Sequence, residues 1–398
     1  MAQKNREDEI NTILKQVADN TGITNYELNA ETNVETGDGF VSEFYTGSVK
    51  NKNNNEMIHV AIKKAPTVIP AYGASLFKNE NIFYRSIFPS LDKFQEEFCL
   101  KVFDNIPVYY GGSLEPEKLY ICMENLKLKN YEMHDKMEYL NQAHLEYVFR
   151  TYGRFHALSF VFKSQNPESY EDGTKNIIDT FEEIVEGISG ATKYGLTVMS
   201  NYFESQADKK LYEKTKTLTE NITDYYRKAL KYEGRHSCFT HGDCWSNNFL
   251  FKYSNTGEIE DIKLVDFQLC RDSTPIHDLS YFFYSGASKP DFDNLDYYLE
   301  LYHKAFVECA KEFDCNGEEL YPIKVLKEEW KTYSLLGILM AIMLWQIKLT
   351  DKKKCQEFTE SENKEENWKS IMSKMLESDA YKKRVENIIR HAINNDII

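Results

Sequence analysis

The sequence predicts an α+β chain of two unequal parts. Residues 1–125 form a small antiparallel β-sheet with one helix, and residues 126–398 form a larger, mainly α-helical part. Three observations carry this reading. Before Asn125, short apolar runs alternate with polar residues and are broken by Gly, Asn and Pro. After Asn125, apolar residues recur at helical spacing over long stretches. The length of 398 residues also exceeds what one ordinary domain needs.

The elements follow in order. Arg6–Asn20 carries Ile10, Ile13, Leu14 and Val17, the spacing of an amphipathic helix. Tyr26–Asn33, Phe40–Val49 and Met57–Lys63 read as strands. They are separated by Gly37-Asp38-Gly39 and by the Asn-rich connection Asn51–Asn55. Leu76–Ile87 reads as a helix stopped by Pro89. Phe98–Tyr110 and Leu119–Met123 are two further strand candidates. Beyond Asn125, helices are predicted at Leu140–Phe162, Asn176–Ile188, Ala207–Tyr232, Leu295–Phe313, Lys327–Lys348 and Glu366–Asn394. Short strands are predicted at Phe249–Tyr253 and Ile262–Val265. Lys163–Lys175 and Lys352–Glu366 are polar and read as loops.

Composition narrows the function classes. Acidic residues number 63 against 48 basic ones, a net charge of −15. A general nucleic-acid or anionic-membrane binder needs a positive surface, so neither is expected. An anionic small ligand needs only a local cationic pocket. The polar stretch Met1–Asp19 shows no apolar signal region, and the 8 Cys are scattered as expected of reduced thiols. Asn221-Ile222-Thr223 is then a chance sequon. Leu335–Trp345 is too short to span a bilayer and reads as a buried helix. The expected compartment is the cytoplasm, with no membrane span and no inferable partner protein.

The densest chemical signal is His241-Gly242-Asp243-Cys244-Trp245-Ser246-Asn247-Asn248, followed after one more strand by Val265-Asp266-Phe267. Phosphoryl transfer from a nucleotide needs a carboxylate to orient the attacking hydroxyl. It also needs hard oxygen ligands to hold Mg²⁺ against the phosphates. Asp243 suits the first role; Asn248 and Asp266 suit the second. Val60-Ala61-Ile62-Lys63 matches the strand-borne lysine that pairs with nucleotide phosphates. Lys64 competes for that role, but Lys63 fits the motif. Glu80 is placed to pair with Lys63. Gly37 and Gly39, in the turn running to Ser42, allow the backbone close to phosphates. Each feature alone has an ordinary structural explanation. Their joint order and spacing do not.

These residues run in kinase order but depart from protein kinases. The catalytic loop reads His241-Gly242-Asp243 where protein kinases carry H-R-D. The metal motif reads Asp266-Phe267-Gln268 where they carry D-F-G, and Pro275-Ile276-His277-Asp278-Leu279 follows too soon for a peptide-binding segment. The chain resembles the choline/aminoglycoside-kinase branch and, more narrowly, the ecdysteroid kinase-like (CHK kinase-like) family. The resemblance extends to Lys63-Lys64-Ala65-Pro66, Glu80 with Tyr84, Met123-Glu124-Asn125-Leu126 and Phe155-His156-Ala157. It implies a two-lobed protein-kinase-like fold that uses ATP and Mg²⁺ to phosphorylate a small-molecule hydroxyl. An ecdysteroid-like sterol or related lipophilic xenobiotic is the implied acceptor. Met123, Glu124 and Leu126 are the implied adenine contacts, while Asn125 departs from an acidic residue common at that point. His241 and Asp278 are expected to brace the catalytic loop.

Several alternatives compete with this reading. An amino-alcohol kinase of the choline or ethanolamine type differs only in acceptor. A silent ligand-binding pseudokinase would be expected to lack Asp243, Asn248 or Asp266, and all three are present. His236, Cys238, His241 and Cys244 lie close together, but their spacing fits no common structural zinc site. His156 sits among apolar residues and reads as a core histidine. The 27 Tyr and 24 Phe would fill the core and leave some rings to line a flat apolar pocket.

Overall fold

The computed structural model describes residues 2–36, 42–65, 71–115, 118–350 and 375–398. They divide into two compact units. The first comprises Met1–Met133, Glu168–Thr180 and Asn248–Cys270; the second comprises His134–Pro167, Phe181–Asn247 and Arg271–Ile398. The segment Asn248–Cys270, which carries Asp266, therefore groups with the N-terminal residues, although it lies far beyond residue 125 in sequence.

The first unit is built on an antiparallel sheet of β1 (Tyr26–Thr36), β2 (Glu43–Asn51), β3 (Met57–Lys64), β4 (Tyr109–Ser113) and β5 (Tyr120–Glu124), in the order β1-β2-β3-β5-β4. Helix α1 (Ala2–Asn20) buries Ile10, Ile13, Leu14 and Val17 against Val49, Val60, Ile62 and Cys122. Those four helical positions lie on one face, so a single stripe covers the sheet. Val60 and Ile62 alternate with Ala61 and Lys63 along β3, as a strand requires. Helix α2 (Ala71–Ile82) follows.

The expected stop at Pro89 does not occur. A π-helical turn, Phe83–Ile87, leads directly into α3 (Phe88–Glu97). Pro89 is the second residue of α3, immediately after the π turn, and the helical chain continues through it. The expected strand Phe98–Tyr110 is also corrected, because only Tyr109 onward is strand. The buried Gln95 side chain acts instead as the backbone partner of Phe103. It donates to the Phe103 carbonyl at 2.9 Å and accepts from the Phe103 N–H at 3.1 Å. A second small sheet joins β6 (Tyr131–Met133), β8 (Phe249–Tyr253) and β9 (Ile259–Leu264).

Among the described residues, the regular structure of the second unit is helical apart from a two-stranded ladder of β7 (Cys238–Thr240) and β10 (Arg271–Ser273). Its long α4 (Gln142–Gln165) opens on Asn141, whose side chain accepts from the His144 N–H. Helix α9 (Pro275–Gly286) is buried along its whole length and packs on α14 (Leu335–Lys348). The apolar run at Leu335–Trp345 is thus a core helix, as expected. The predicted helix Lys327–Lys348 is two helices, because the chain bends by 52° between Tyr333 and Leu335. Ala207–Tyr232 likewise breaks at Asn221 into Lys209–Glu220 and Ile222–Leu230.

Most of the expected loop Lys163–Lys175 is helical, in the end of α4 and in α5 (Pro167–Lys175). Its polar residues face solvent while Tyr170 is buried. Lys352–Glu366 lies outside the described residues. Among the described residues, no single helix is long and apolar enough to cross a membrane.

Candidate active site

The first unit assembles a lysine between two carboxylates. Lys63 is the penultimate residue of β3 and is 5% exposed. Its Nζ donates to Glu80 Oε2 on α2 and to Asp266 Oδ1 just beyond β9, both at 2.7 Å. Burial alone would lower the Lys63 ammonium pKa. The Asp266 and Glu80 carboxylates reverse this and hold it well above its ordinary value. Lys64 points elsewhere, pairing with Glu9 of α1 at 2.6 Å. The alternation of β3 thus separates the two lysines that the sequence offered.

The β8–β9 hairpin brings Asn248 and Asp266 to its open end. Phe249 faces Leu264, and the next rung is the Val265 N–H donating to the Asn248 carbonyl at 3.1 Å. Asp266 follows with φ of +69°, a left-handed conformation that Asp tolerates better than branched residues. Phe267 is fully buried. It stacks on Phe83 of the π turn with centroids 3.7 Å apart and meets Tyr84 edge-on. The π turn therefore presents Phe83 and Tyr84 to the residue after Asp266.

Asn79, which sequence reasoning missed, pins the next stretch. Its amide donates to the carbonyls of Gln268 at 3.0 Å and Cys270 at 2.8 Å, and its oxygen accepts from the Ile178 N–H at 3.1 Å. It is 1% exposed, so all three bonds are shielded from water. Its place beside Glu80 was the only available hint.

The expected adenine contacts lie on and after β5. Met123 is buried and opposite Ala61. The Glu124 N–H donates to Val108 and the Asn125 N–H to His59, so both backbone donors are committed to the sheet edge. The Glu124 side chain is buried and pairs with Lys129. Leu126 opens a 3₁₀ turn that ends at Asn130 in the left-handed conformation. Gly37 and Gly39 lie outside the described residues. Ser42 is half-buried immediately before β2.

The second unit holds the other half of the motif set. Asp243 is 8% exposed, and its Oδ1 accepts from the Tyr281 hydroxyl at 3.1 Å. The Asp243 N–H donates to His241 Nδ1 at 3.2 Å. Asp278, fully buried on α9, accepts from the backbone N–H groups of His241 at 2.7 Å and Gly242 at 2.9 Å. Gly242 has φ of +83°, which explains a glycine between His241 and Asp243.

Burial pushes the Asp278 carboxyl up. The adjacent His156 and His241, together with the backbone donors, outweigh this and hold it below the ordinary carboxylate value. His156 Nε2 lies 3.2 Å from Asp278 Oδ2, and its Nδ1 lies 3.1 Å from the Tyr302 hydroxyl. It is a buried, fully engaged core histidine. His236, one of the residues weighed for zinc, faces Glu329 at 3.4 Å.

The first unit thus holds a buried lysine between two carboxylates, and the second holds Asp243 on a loop pinned by Asp278 and Tyr281. The model of the ecdysteroid kinase-like family matches residues 36–315. The chain belongs to that family and is a small-molecule kinase, and the family implies the use of ATP. No curated protein matches the chain. The solved structures similar to it include the following two. The GDP and kanamycin complex of APH(2")-IIia is 14% identical with a TM-score of 0.43, covering 92% of this chain and 97% of that one. A glucosamine kinase (crystal form B) is 9% identical with a TM-score of 0.28, covering 94% and 96%. The assignment rests on the family match.

Proposed function

We propose that the protein uses ATP and Mg²⁺ to phosphorylate a hydroxyl of an ecdysteroid-like sterol or a related lipophilic acceptor. The observation that carries the kinase chemistry is the ion cluster of Lys63 with Glu80 and Asp266, each contact at 2.7 Å. Lys63, oriented by Glu80, holds phosphates of ATP. Asn248 and Asp266 offer a carboxamide and a carboxylate oxygen from adjoining ends of one hairpin. Hard oxygen donors of this kind fit Mg²⁺, and the Asp266 side chain is 26% exposed, which leaves it accessible. When bound, Mg²⁺ supplies charge neutralisation on the phosphates.

Gly37, Gly39 and Ser42 are assigned to the phosphates, and Met123 to Leu126 to the base. Asp243 orients the acceptor hydroxyl and receives its proton. The acceptor oxygen bonds to the γ-phosphorus, the bond from that phosphorus to the bridging oxygen breaks, and ADP leaves. His241 and Asp278 keep the loop in place. The sterol assignment is supported by the family description, and the scattered cysteines of the sequence suit the reducing cytoplasm that we propose as its setting.

The test is ADP release by purified protein with ATP and Mg²⁺, against ecdysteroids, choline-type amines and phenolic or glycosylated xenobiotics. An ecdysteroid should be turned over fastest, and Asp243→Asn should lower turnover about 10²–10⁴-fold while ATP still binds. Near-normal turnover by that variant would refute the mechanism. Preference for an amine would replace the sterol reading. Nucleotide binding without any phosphorylated acceptor would favour the pseudokinase.

A further inference from the structure

Helix α9 anchors the catalytic loop twice within one turn. Asp278 takes the backbone N–H groups of His241 and Gly242, and Tyr281, three residues on, reaches the Asp243 side chain itself at 3.1 Å. Residues three apart share a helix face, so both anchors point to the same loop. The helix is firmly placed. Thr274 caps its start by accepting from the Ile276 N–H, and Pro275 occupies its first turn. Gly337 of α14 approaches so closely that a Cβ there would lie 2.3 Å from Ser280 and 2.4 Å from Tyr281 backbone atoms. Tyr281 is 3% exposed. Burial first, and the Asp243 charge second, hold its phenol well above its ordinary pKa, so it remains a donor at neutral pH.

We propose that Tyr281 is a positioning residue for phosphoryl transfer, its hydroxyl fixing the Asp243 carboxylate in one rotamer so that the acceptor hydroxyl meets a pre-set oxygen. The inference rests on the reading of Asp243 as the group that orients the acceptor. A carboxylate on two rotatable bonds samples several orientations, and only those aligned with the phosphorus are productive. A buried donor that holds one orientation therefore acts on turnover and leaves nucleotide affinity alone. The tyrosine touches neither nucleotide nor reacting atoms in this role.

The test pairs Tyr281→Phe, which removes one oxygen and keeps the ring, with Asp243→Ala and the double variant. ADP release from ATP and Mg²⁺ is measured with water as acceptor and again with the fastest acceptor of the panel. Tyr281→Phe should lower kcat roughly 10–100-fold, the effect of losing a hydrogen bond to a charged group, with the KM for ATP and the melting temperature nearly unchanged. In the Asp243→Ala background the same change should have no further effect, because no carboxylate remains to be positioned. Unchanged kcat in Tyr281→Phe, beside an inactive Asp243→Ala, overturns this inference alone. So does an equal loss in both backgrounds, the mark of a structural role. Near-normal turnover by Asp243→Ala overturns the reading of Asp243 and this inference with it.

Discussion

Replacing Lys348 by Met should stabilise the protein at acid pH and lose that benefit at alkaline pH. Lys348 lies on α14 in the second unit with none of its surface exposed. Its Nζ donates to the Ser285 carbonyl at 2.6 Å and sits 4.2 Å from the Trp345 ring centre. Burial, reinforced by the nearby Arg384 and Lys136 charges and only partly opposed by Asp135, lowers its pKa from 10.5 to about 7. At roughly 1.36 kcal/mol per pH unit, the charged form costs the folded chain about 5 kcal/mol. Between about pH 7 and 10.5 the unfolded chain binds the proton and the folded chain does not, so stability rises with pH across that window. Below pH 7 the cost is felt in full.

Methionine keeps the apolar stem and removes the ammonium. It also leaves the Ser285 carbonyl without this donor and removes the contact with Trp345, losses of about 2–3 kcal/mol together. The net gain at pH 6 is then about 2–3 kcal/mol, a rise of about 5 °C in the melting temperature of the second unit. Near pH 10 the gain should vanish or reverse. Thermal unfolding of both proteins at pH 6, 8 and 10 reads this directly. Equal destabilisation of the variant at all three values would refute the argument that burial of the charge dominates.

Two further outcomes follow from the same contacts. Glu80→Gln leaves Lys63 with Asp266 as its charged partner. It should reduce kcat/KM for ATP about 10–100-fold, the worth of one charge-assisted hydrogen bond, while an unchanged value would remove Glu80 from the site. Gly337→Ala should destabilise by about 3 kcal/mol in denaturant unfolding, because its methyl group meets α9 backbone at 2.3–2.4 Å. Wild-type stability would show that the two helices are free to separate.

Much of the proposed site was legible because phosphoryl transfer restricts which residue types can serve. The motif around Lys63 and the spacing from Asp243 to Asn248 and Asp266 each carry a chemical requirement. The pairing of Lys63 with Glu80 was also legible, since one strand and the next helix carry them. Asn79 was not, because an amide beside a glutamate satisfies no rule of spacing. Tyr281 carried a faint signal, one helical turn beyond Asp278. Its bond to Asp243 joins residues 38 apart in sequence, and no local pattern reports that.

The helices and strands divide in the same way. Alternation found β3 and β8, where local polarity and tertiary burial agree. Pro89 misled, because whether proline ends a helix or begins one depends on the turn before it. The sequence by itself determined the family, the chemical groups and their order along the chain, since these are properties of residue type and spacing. Only the tertiary structure decided which atoms meet. Lys63 and Asp266 are 203 residues apart, and their contact depends on how β3, α2 and the β8–β9 hairpin pack together. Packing sums many weak contacts over three dimensions, and a one-dimensional pattern records only the face each residue prefers.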